Sequence, residues 1–271
     1  MNFAALLKSE FRKLAYARST WWLLAGAVAF SSLGVGVMPL ILDASRTEVD
    51  GQAVSTGLMN SEAIGAMFGK AAAGYYFAMI LGAMLLAGEF AKGTAIATFL
   101  AAPKRSSVLW AKVVMAAVVG LGVQVISGAI ATGVGALVLT NFKHAEPPLS
   151  AFGDLALTAS ISGIVLALVG LAVGALVRNQ TGAIVGLLAW MFLIDPILTV
   201  LTQVMHYEAG KYLFTALISG MMDLHLSGVT GPRMLGGLDY LSPLVSMAVL
   251  LAYAAALVAA ALATSLRRDI D

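Results

Sequence analysis

The sequence predicts an all-α, polytopic membrane protein with six transmembrane helices. Its 271 residues are 60% hydrophobic and only 11% charged, whereas soluble domains average about half and a quarter. Six apolar stretches each reach the ~20 residues that a helix needs to cross a bilayer, and lipid admits only helices or closed barrels. They leave no room for a separate soluble domain, so residues 1–271 are expected to form one membrane domain. The predicted spans are residues 20–42, 68–87, 112–139, 155–177, 181–204 and 241–266.

The distribution of Lys and Arg predicts the orientation. An even number of spans places both termini on one side of the membrane, and that side receives eleven of the sixteen basic residues. The excess predicts cytoplasmic termini, because cytoplasmic loops are enriched in Lys and Arg. We expect the inner (plasma) membrane of a bacterium, since the chain is compact and rich in Ala and Gly. The eleven residues are Lys8, Arg12, Lys13, Arg18, Lys92, Lys104, Arg105, Lys112, Arg178, Arg267 and Arg268.

Residues 1–19 have the pattern of a basic amphipathic helix. At helical spacing, one face is apolar and the other carries three cations; Glu10 is the exception on the apolar side. Such a helix lies at the membrane surface with its cations toward anionic headgroups. The alternative is a positive flank that only orients the first span. The apolar face comprises Phe3, Leu6, Leu7, Phe11 and Leu14, and the polar face Lys8, Ser9, Arg12 and Lys13.

The second connection, residues 88–107, contains a short predicted helix. Glu89 and Lys92 mark the expected exit from the membrane, and residues 95–102 allow two helical turns. Pro103 ends them, because the residue before a proline is pushed away from α geometry. A helix lying along the cytoplasmic side of the membrane is a natural docking surface for a soluble partner.

Residues 205–240 form the longest predicted external connection. Within it, residues 211–226 are too apolar for a solvated loop and too short to span easily. We therefore expect an interfacial or re-entrant helix there.

Asp195 is the only acid deep within a predicted span. A carboxylate at the bilayer centre costs ~2.5–3.5 kcal/mol on insertion scales, so it should face protein or water. Pro196 removes a backbone hydrogen bond and favours a kink. Two interpretations stay open: Asp195 and Pro196 form a hinge or polar lining in a transport pathway, or Asp195 is a protonated or hydrogen-bonded acid in helix packing.

Several kinds of chemistry lack the residues they need. There is no Cys, and a net charge of +2 is too small to predict nucleic-acid binding. Residues 65–71 differ from a phosphate-binding loop in glycine spacing and lack its Mg-binding Ser or Thr. His144, His206 and His225 do not have metal-ligand spacing. We predict no catalytic residues, no metal site and no cofactor in this chain, so it is not expected to be an enzyme.

Two segments carry a more specific resemblance. The first runs Leu6-Leu-Lys-Ser-Glu-Phe-Arg-Lys-Leu14 into Arg18-Ser-Thr-Trp-Trp22. The second contains Gly88-Glu-Phe, Gly93-Thr94 and Thr98-Phe-Leu-Ala-Ala-Pro-Lys-Arg105. Together with the six-span layout, they resemble the permease subunits of bacterial ABC-2 type exporters.

The resemblance implies partners and residue roles. Such permeases pair as dimers, here a homodimer rather than a heterodimer, and bind two cytoplasmic ATPase subunits that hold ATP and Mg. Residues 1–19 would be the elbow helix, and 89–103 the coupling helix that contacts the ATPase. The implied elbow residues are Phe3, Leu7, Lys8, Phe11, Arg12 and Lys13. The implied coupling residues are Glu89, Lys92, Gly93, Thr94, Thr98, Phe99 and Pro103.

The implied function is a translocation pathway for a hydrophobic or amphiphilic substrate, such as a drug, peptide or lipid-like molecule. Transport would proceed by alternating access driven by the ATPase. The main alternative is a secondary transporter or channel that is not coupled to ATP, which would need intramembrane charges or broken helices in matched halves. A membrane enzyme or an immunity or sensor protein is the third reading.

Overall fold

The computed structural model of this protein consists mainly of helices. It describes residues 3–44, 46–49, 52–55, 68, 73–94, 105–141, 151–221 and 241–265. A π turn, Trp190–Ile194, joins α6 to α7, and a 3-10 turn, Glu208–Tyr212, precedes α8. The described strands are β1 (Arg46–Val49) and β2 (Gln52–Ser55). The helices are α1 (Phe3–Tyr16), α2 (Arg18–Ala44), α3 (Tyr75–Ala91), α4 (Arg105–Leu139), α5 (Ala151–Val177), α6 (Gln180–Ala189), α7 (Asp195–Val204), α8 (Phe214–Met221) and α9 (Pro243–Ser265).

Five helical stretches are long and apolar enough to cross a membrane, and they coincide with five of the six predicted spans. The prediction of a helical membrane protein is confirmed. The second predicted span, 68–87, corresponds to α3, an apolar helix of 17 residues, so a sixth crossing stays a prediction, as does the orientation. The five stretches are Arg18–Ile41, Ser107–Leu139, Ala156–Val177, Gln180–Thr202 and Pro243–Ala261.

Two helices extend beyond the predicted spans, and both extensions contain charged residues. Helix α3 continues to Ala91, past the predicted end at 87 and through Glu89. Helix α4 begins at Arg105 rather than at 112 and includes Lys112. A single charge in lipid is costly. Glu89 and Lys112 are paired with opposite charges in the folded chain, so the helices can continue through them.

The connection between the first two predicted spans contains a hairpin that the sequence analysis did not predict. Strands β1 and β2 pair antiparallel, with Val49 opposite Gln52. Asp50-Gly51 separates the strands in the sequence, and Asp-Gly between strand-like residues is a strong hairpin signal. The all-α prediction therefore holds for the membrane part, and this hairpin is the described exception.

Helix α5 is the central helix of the bundle. Its apolar window is 61% buried, whereas those of the other four candidate spans are between 17% and 33% buried. One face of α5 packs with α3, α6, α8 and α9, and the other with α2, α3 and α4. The broad exposed apolar surfaces of the outer helices are suited to lipid.

Glycines allow the closest approach, between α3 and α5. A Cβ on Gly170 would lie 1.9 Å from the carbonyl oxygen of Met79, and one on Gly174 would lie 2.4 Å from that of Ala83. Met79 and Ala83 follow one another along α3 in the same order as their contacts Gly170 and Gly174 along α5. The two helices therefore run parallel. Small residues permit this contact, and in lipid such packing, rather than hydrophobic burial, holds helices together.

A matched pair of glycines in α4 tests the same kind of close contact, here between α4 and α5. A Cβ on Gly120 would lie 2.3 Å from the carbonyl oxygen of Gly163, whereas one on Gly122 would meet nothing within 4 Å. Gly120→Ala is expected to lower the free energy of unfolding by about 1–3 kcal/mol through overpacking. Gly122→Ala should be neutral or stabilising, since Ala favours helix over Gly. Reversible unfolding in mixed detergent micelles measures both, and equal effects would contradict the packing.

Candidate functional site

Four charged side chains meet where α1, α3 and α4 join. Glu10 and Lys13 come from α1, Glu89 from the last turn of α3, and Lys112 from α4; we call these four residues the ion network. Glu10 and Lys13 are three positions apart, so a helix places them on neighbouring faces. This geometry brings two carboxylates and two ammonium groups to one point.

The packing of α1 against α4 positions the network. Leu6 is buried against Val108 and Ala111 of α4, with Leu7 packed against the same cluster. Glu10 lies one turn after Leu6, so its side chain is directed toward the same helix. The acid that interrupts the apolar face of α1 in the sequence therefore reaches a buried lysine of α4.

Each lysine of the ion network bridges the two acids. Lys112 Nζ lies 2.9 Å from Glu10 Oε2 and 3.0 Å from Glu89 Oε1, and it donates to the carbonyl oxygen of Leu85 at 2.9 Å. Lys13 Nζ lies 2.6 Å from Glu10 Oε1 and 2.7 Å from Glu89 Oε1. Among the described residues, Glu89 Oε2 is buried without a hydrogen-bond partner. Three of the four carboxylate oxygens are thus satisfied.

Burial makes these ion pairs sensitive to the loss of any member. Lys112 is 0% exposed and Glu10 is 2% exposed. Removing one partner of a buried pair leaves an uncompensated charge, which is strongly destabilising. The network has two formal positive and two negative charges, so as a unit it is neutral.

The pKa shifts keep Glu10 and Lys13 charged at neutral pH. Burial acts to raise the pKa of Glu10, but Lys112 and Lys13 together hold that pKa below its ordinary value. Burial acts to lower the pKa of Lys13, but Glu10 and Glu89 raise it above its ordinary value. The contribution of Glu10 to stability is therefore present above its unfolded pKa and is lost as pH falls through the lower, folded pKa. That of Lys13 is present below its unfolded pKa and is lost as pH rises through the higher, folded pKa.

A tight helix end follows Glu89. Gly93 has a left-handed φ of 67°, its N–H donates to the carbonyl oxygen of Phe90, and the N–H of Thr94 donates to that of Glu89. This pair of bonds forms a Schellman cap, in which glycine accepts the left-handed conformation without strain. The cap leaves Lys92, Gly93 and Thr94 exposed directly beside the ion network.

The residues predicted to contact an ATPase separate into three groups. Glu89 points inward to the ion network and is 7% exposed. Lys92, Gly93 and Thr94 form the exposed turn. The others lie outside the described residues, as does the 95–102 helix: Thr98, Phe99 and Pro103.

The predicted amphipathic helix is present as α1, its placement at the membrane surface stays a prediction, and its apolar face is divided. Leu7 packs inward near α4, whereas Phe3 and Phe11 are 41% and 58% exposed. Lys8 and Arg12 are exposed on the polar side, and Lys13 belongs to the ion network.

A cavity of about 380 Å³ opens beside the ion network. Its walls come from α1, the α1–α2 junction, the end of α3 and the start of α6. One side is polar and one is apolar, so it is suited to an amphiphilic group. The lining includes Glu10, Lys13, Leu14, Tyr16, Leu81, Met84, Leu85, Gly88, Glu89, Lys92, Thr94 and Gln180.

Asp195 caps the N-terminus of α8. It is 0% exposed, and its Oδ1 and Oδ2 accept the backbone N–H groups of Phe214 and Thr215 at 3.0 and 2.9 Å. The first N–H groups of a helix have no partner within it, and a carboxylate there also interacts favourably with the helix dipole. The acid is therefore hydrogen-bonded in helix packing, and a role for Asp195 in transport stays a prediction.

The helix irregularity at Asp195 begins before Pro196. The N–H of Asp195 donates to the carbonyl oxygen of Trp190, five residues earlier, within the π turn. Such turns are associated with helix kinks and functional sites. The following 3-10 turn and α8 then account for the described part of the predicted re-entrant segment, 205–240.

An apolar cavity of about 270 Å³ lies next to the π turn. Residues of α3, α5, α6, the π turn, α8 and α9 surround it, including Met79, Leu187, Trp190, Phe214 and Leu257. The backbone N–H of Phe214 also donates to Asp195 Oδ1, so the cap fixes one wall of this cavity.

Sequence analysis missed the roles of Glu10 and Lys112. The signal for Glu10 was present, since an acid on an apolar helix face needs a partner. In the sequence, Lys112 lies at the edge of a predicted span and shows no partner nearby. Its burial depends on two acids that lie 23 and 102 positions away in the chain.

Removal of Lys112 tests the ion network. Lys112→Met should lower the free energy of unfolding by about 3–5 kcal/mol, because Glu10 and Glu89 are left buried with only Lys13 between them. The double variant Glu10→Gln/Lys112→Met should lose less than the sum of the two single variants. Unfolding in mixed detergent micelles gives these values, with exposed Lys8→Ala as the control. Additive effects would contradict the coupling.

Replacement of Asp195 tests the α8 cap. Asp195→Ala leaves the N–H groups of Phe214 and Thr215 unpaired, at a cost of about 1–3 kcal/mol in unfolding free energy. Asp195→Asn keeps an acceptor oxygen and should lose less. Thr202→Ala is the control, since that hydroxyl donates only to carbonyl oxygens of its own helix. Equal stability of the Ala variant and the native chain would exclude a capping role.

The comparisons with known proteins identify a family without a described activity. No curated protein matches the chain significantly. Residues 52–270 match the model of a family described as Protein of unknown function (DUF2705). The match includes helices α3 to α9, and with them Glu89, Lys112 and Asp195, whereas α1 precedes it. Since the matched segment is much more than half of the chain, this protein belongs to the DUF2705 family.

Proposed function

We propose that this chain is the membrane-spanning permease subunit of an ATP-driven exporter of the ABC-2 type. It crosses a bacterial inner membrane six times, with both termini in the cytoplasm, and pairs with a second copy of itself. Two copies of a separate cytoplasmic ATPase supply ATP and Mg. The pathway carries a hydrophobic or amphiphilic substrate, such as a drug, peptide or lipid-like molecule.

The ion network is the observation that carries the proposal. It joins the surface helix α1 to the end of α3 and the start of α4, directly beside the exposed turn of Lys92, Gly93 and Thr94. A soluble subunit that displaces this turn would move all three helices together, because breaking the network leaves charges buried without partners. Such a connection is suited to a subunit whose conformational change is driven by a partner bound at one end of the bundle.

The charge distribution supports the cytoplasmic placement of this connection. Lys8, Arg12 and Lys92 are exposed around the ion network. They lie at the end of the bundle to which the sequence analysis assigns eleven of the sixteen Lys and Arg residues. Exposed cations near span ends favour the cytoplasmic side.

The apolar cavity supports a hydrophobic cargo. Its volume of about 270 Å³ lies just below the ~300–1,000 Å³ of typical ligand pockets, and its lining is apolar. It adjoins the π turn and the capped helix α8. Export then requires two packings of these helices with different affinities for the substrate and for the ATP-bound motor.

A purification experiment tests the coupling. The tagged chain, expressed with the neighbouring reading frames of its own genome, should co-purify with a P-loop ATPase. Lys92→Glu should reduce the recovered ATPase about tenfold, the effect of roughly 1.4 kcal/mol. Lys8→Glu is the matched control on α1. Charge reversal at Glu89 is unsuitable, because it would break the buried network and the fold with it.

Two results would contradict the proposal. One is uphill transport by the purified chain alone, driven by a proton gradient, which would favour the secondary transporter. The other is recovery of the membrane protein without any ATPase, together with unchanged export when neighbouring P-loop genes are deleted.

The orientation can be tested by labelling, because the chain contains no Cys. Thr94→Cys and Tyr207→Cys place single thiols in exposed turns at the two ends of the bundle. A membrane-impermeant maleimide should label Cys at 207 in intact spheroplasts and Cys at 94 only after permeabilisation. The reverse pattern would place the ion network outside the cell and exclude a cytosolic motor acting on it.

A further inference from the structure

Glu89, which lines the cavity beside the ion network, has one unsatisfied carboxylate oxygen in the part of the chain that the structure describes. Its Oε1 already receives Lys13 and Lys112, while its Oε2 is buried without a hydrogen-bond partner among the described residues. The side chain is more than nine-tenths buried and lines the cavity. A buried carboxylate oxygen without a donor is costly, so a ligand that brings an N–H donor would be stabilised here.

Two cations on the same cavity retain unused donors. Lys13 uses two of its three N–H groups, on Glu10 and Glu89, and its side chain is 47% exposed. Lys92 is exposed and makes no ion pair within the described part of the chain. These donors suit an anionic oxygen group such as a phosphate.

Another part of the cavity wall is apolar and is flanked by aromatic side chains typical of a membrane interface. Leu14, Leu81, Met84 and Leu85 line one side. Tyr16, also in the lining, is 86% exposed. The nearby Trp21 and Trp22 are 60% and 77% exposed, and Trp and Tyr are enriched where hydrocarbon meets headgroups.

We infer that this cavity binds the headgroup of an aminophospholipid of the phosphatidylethanolamine type. The primary ammonium donates to Glu89 Oε2, the phosphate accepts from Lys13 and Lys92, and the acyl chains leave along Leu81 and Met84. The headgroup is zwitterionic, so the local charge balance is unchanged on binding. A trimethylated headgroup carries the same charge but has no N–H to donate, so the site should discriminate against it.

The lipid site has a defined consequence that is independent of ATP coupling. A bound headgroup would supply the missing partner of Glu89 and connect α1 to the turn after α3. The inference goes beyond the proposed function, since a chain of any transport class could hold such a lipid.

Lipid titration of the purified full chain tests the site. Native mass spectrometry in detergent would measure binding of phosphatidylethanolamine, its mono-N-methyl form, phosphatidylcholine and phosphatidylglycerol. We expect the first two to bind about tenfold more tightly than the last two, as expected for one hydrogen bond to a charged group. Soluble glycerophosphoethanolamine should compete far more weakly than the lipid, because it lacks the chains that contact the apolar wall.

Variants outside the ion network locate the binding. Gly88→Leu puts a side chain into the cavity, where a Cβ meets only Gln180 Oε1 at 3.6 Å, and should abolish the preference. Lys92→Ala should weaken binding of all phosphate-bearing lipids. Gly133→Leu, at an exposed glycine with nothing within 4 Å of its Cβ, and Lys8→Ala are the controls and should bind as the native chain does.

Three outcomes would overturn the site. Equal binding of phosphatidylethanolamine and phosphatidylcholine would remove the role of Glu89 Oε2. An unchanged preference in Gly88→Leu together with unchanged lipid affinity in Lys92→Ala would place the lipid elsewhere. Competition by the soluble headgroup at the strength of the intact lipid would mean that the ligand is not held as a membrane component. If Gly88→Leu does not fold, the lipid series and Lys92→Ala still decide.

Discussion

The ion network determines how the N-terminal helix meets the bundle. Glu10 and Lys112 are almost completely buried, and each is compensated only if α1, α3 and α4 keep their relative positions. Apolar contacts of α1 could be satisfied by lipid in many orientations, but a buried charge accepts very few arrangements. The path of the chain into the first span, the exposed turn after α3 and the amphiphilic cavity all follow from this constraint.

Packing in the remaining bundle depends on shape rather than on charge. Lipid is as apolar as the side chains, so burial alone gives little preference for one helix arrangement. Close contact between α3 and α5, allowed by Gly170 and Gly174, supplies dispersion attraction that a bulkier residue would prevent. Helix α5 thereby becomes the core on which the outer helices are assembled.

Asp195 shows how an expensive residue can be accommodated in such a bundle. Its two oxygens satisfy backbone donors of α8, which would themselves be costly if left unpaired in an apolar setting. The π turn before it and Pro196 after it interrupt the regular helix at that level. The same few residues therefore position a short buried helix and one wall of the apolar cavity.

The sequence by itself determined the membrane class, the helical architecture and the approximate ends of five spans, because length and apolar composition act locally along each segment. It also indicated an amphipathic α1 and an unusual acid at 195. Only the tertiary structure decided that Glu10 and Lys112 are partners, that α3 and α4 extend through their charges, and that Asp195 caps α8. These outcomes depend on groups that are distant in the chain and meet only after folding, so a pattern read along one helix does not contain them.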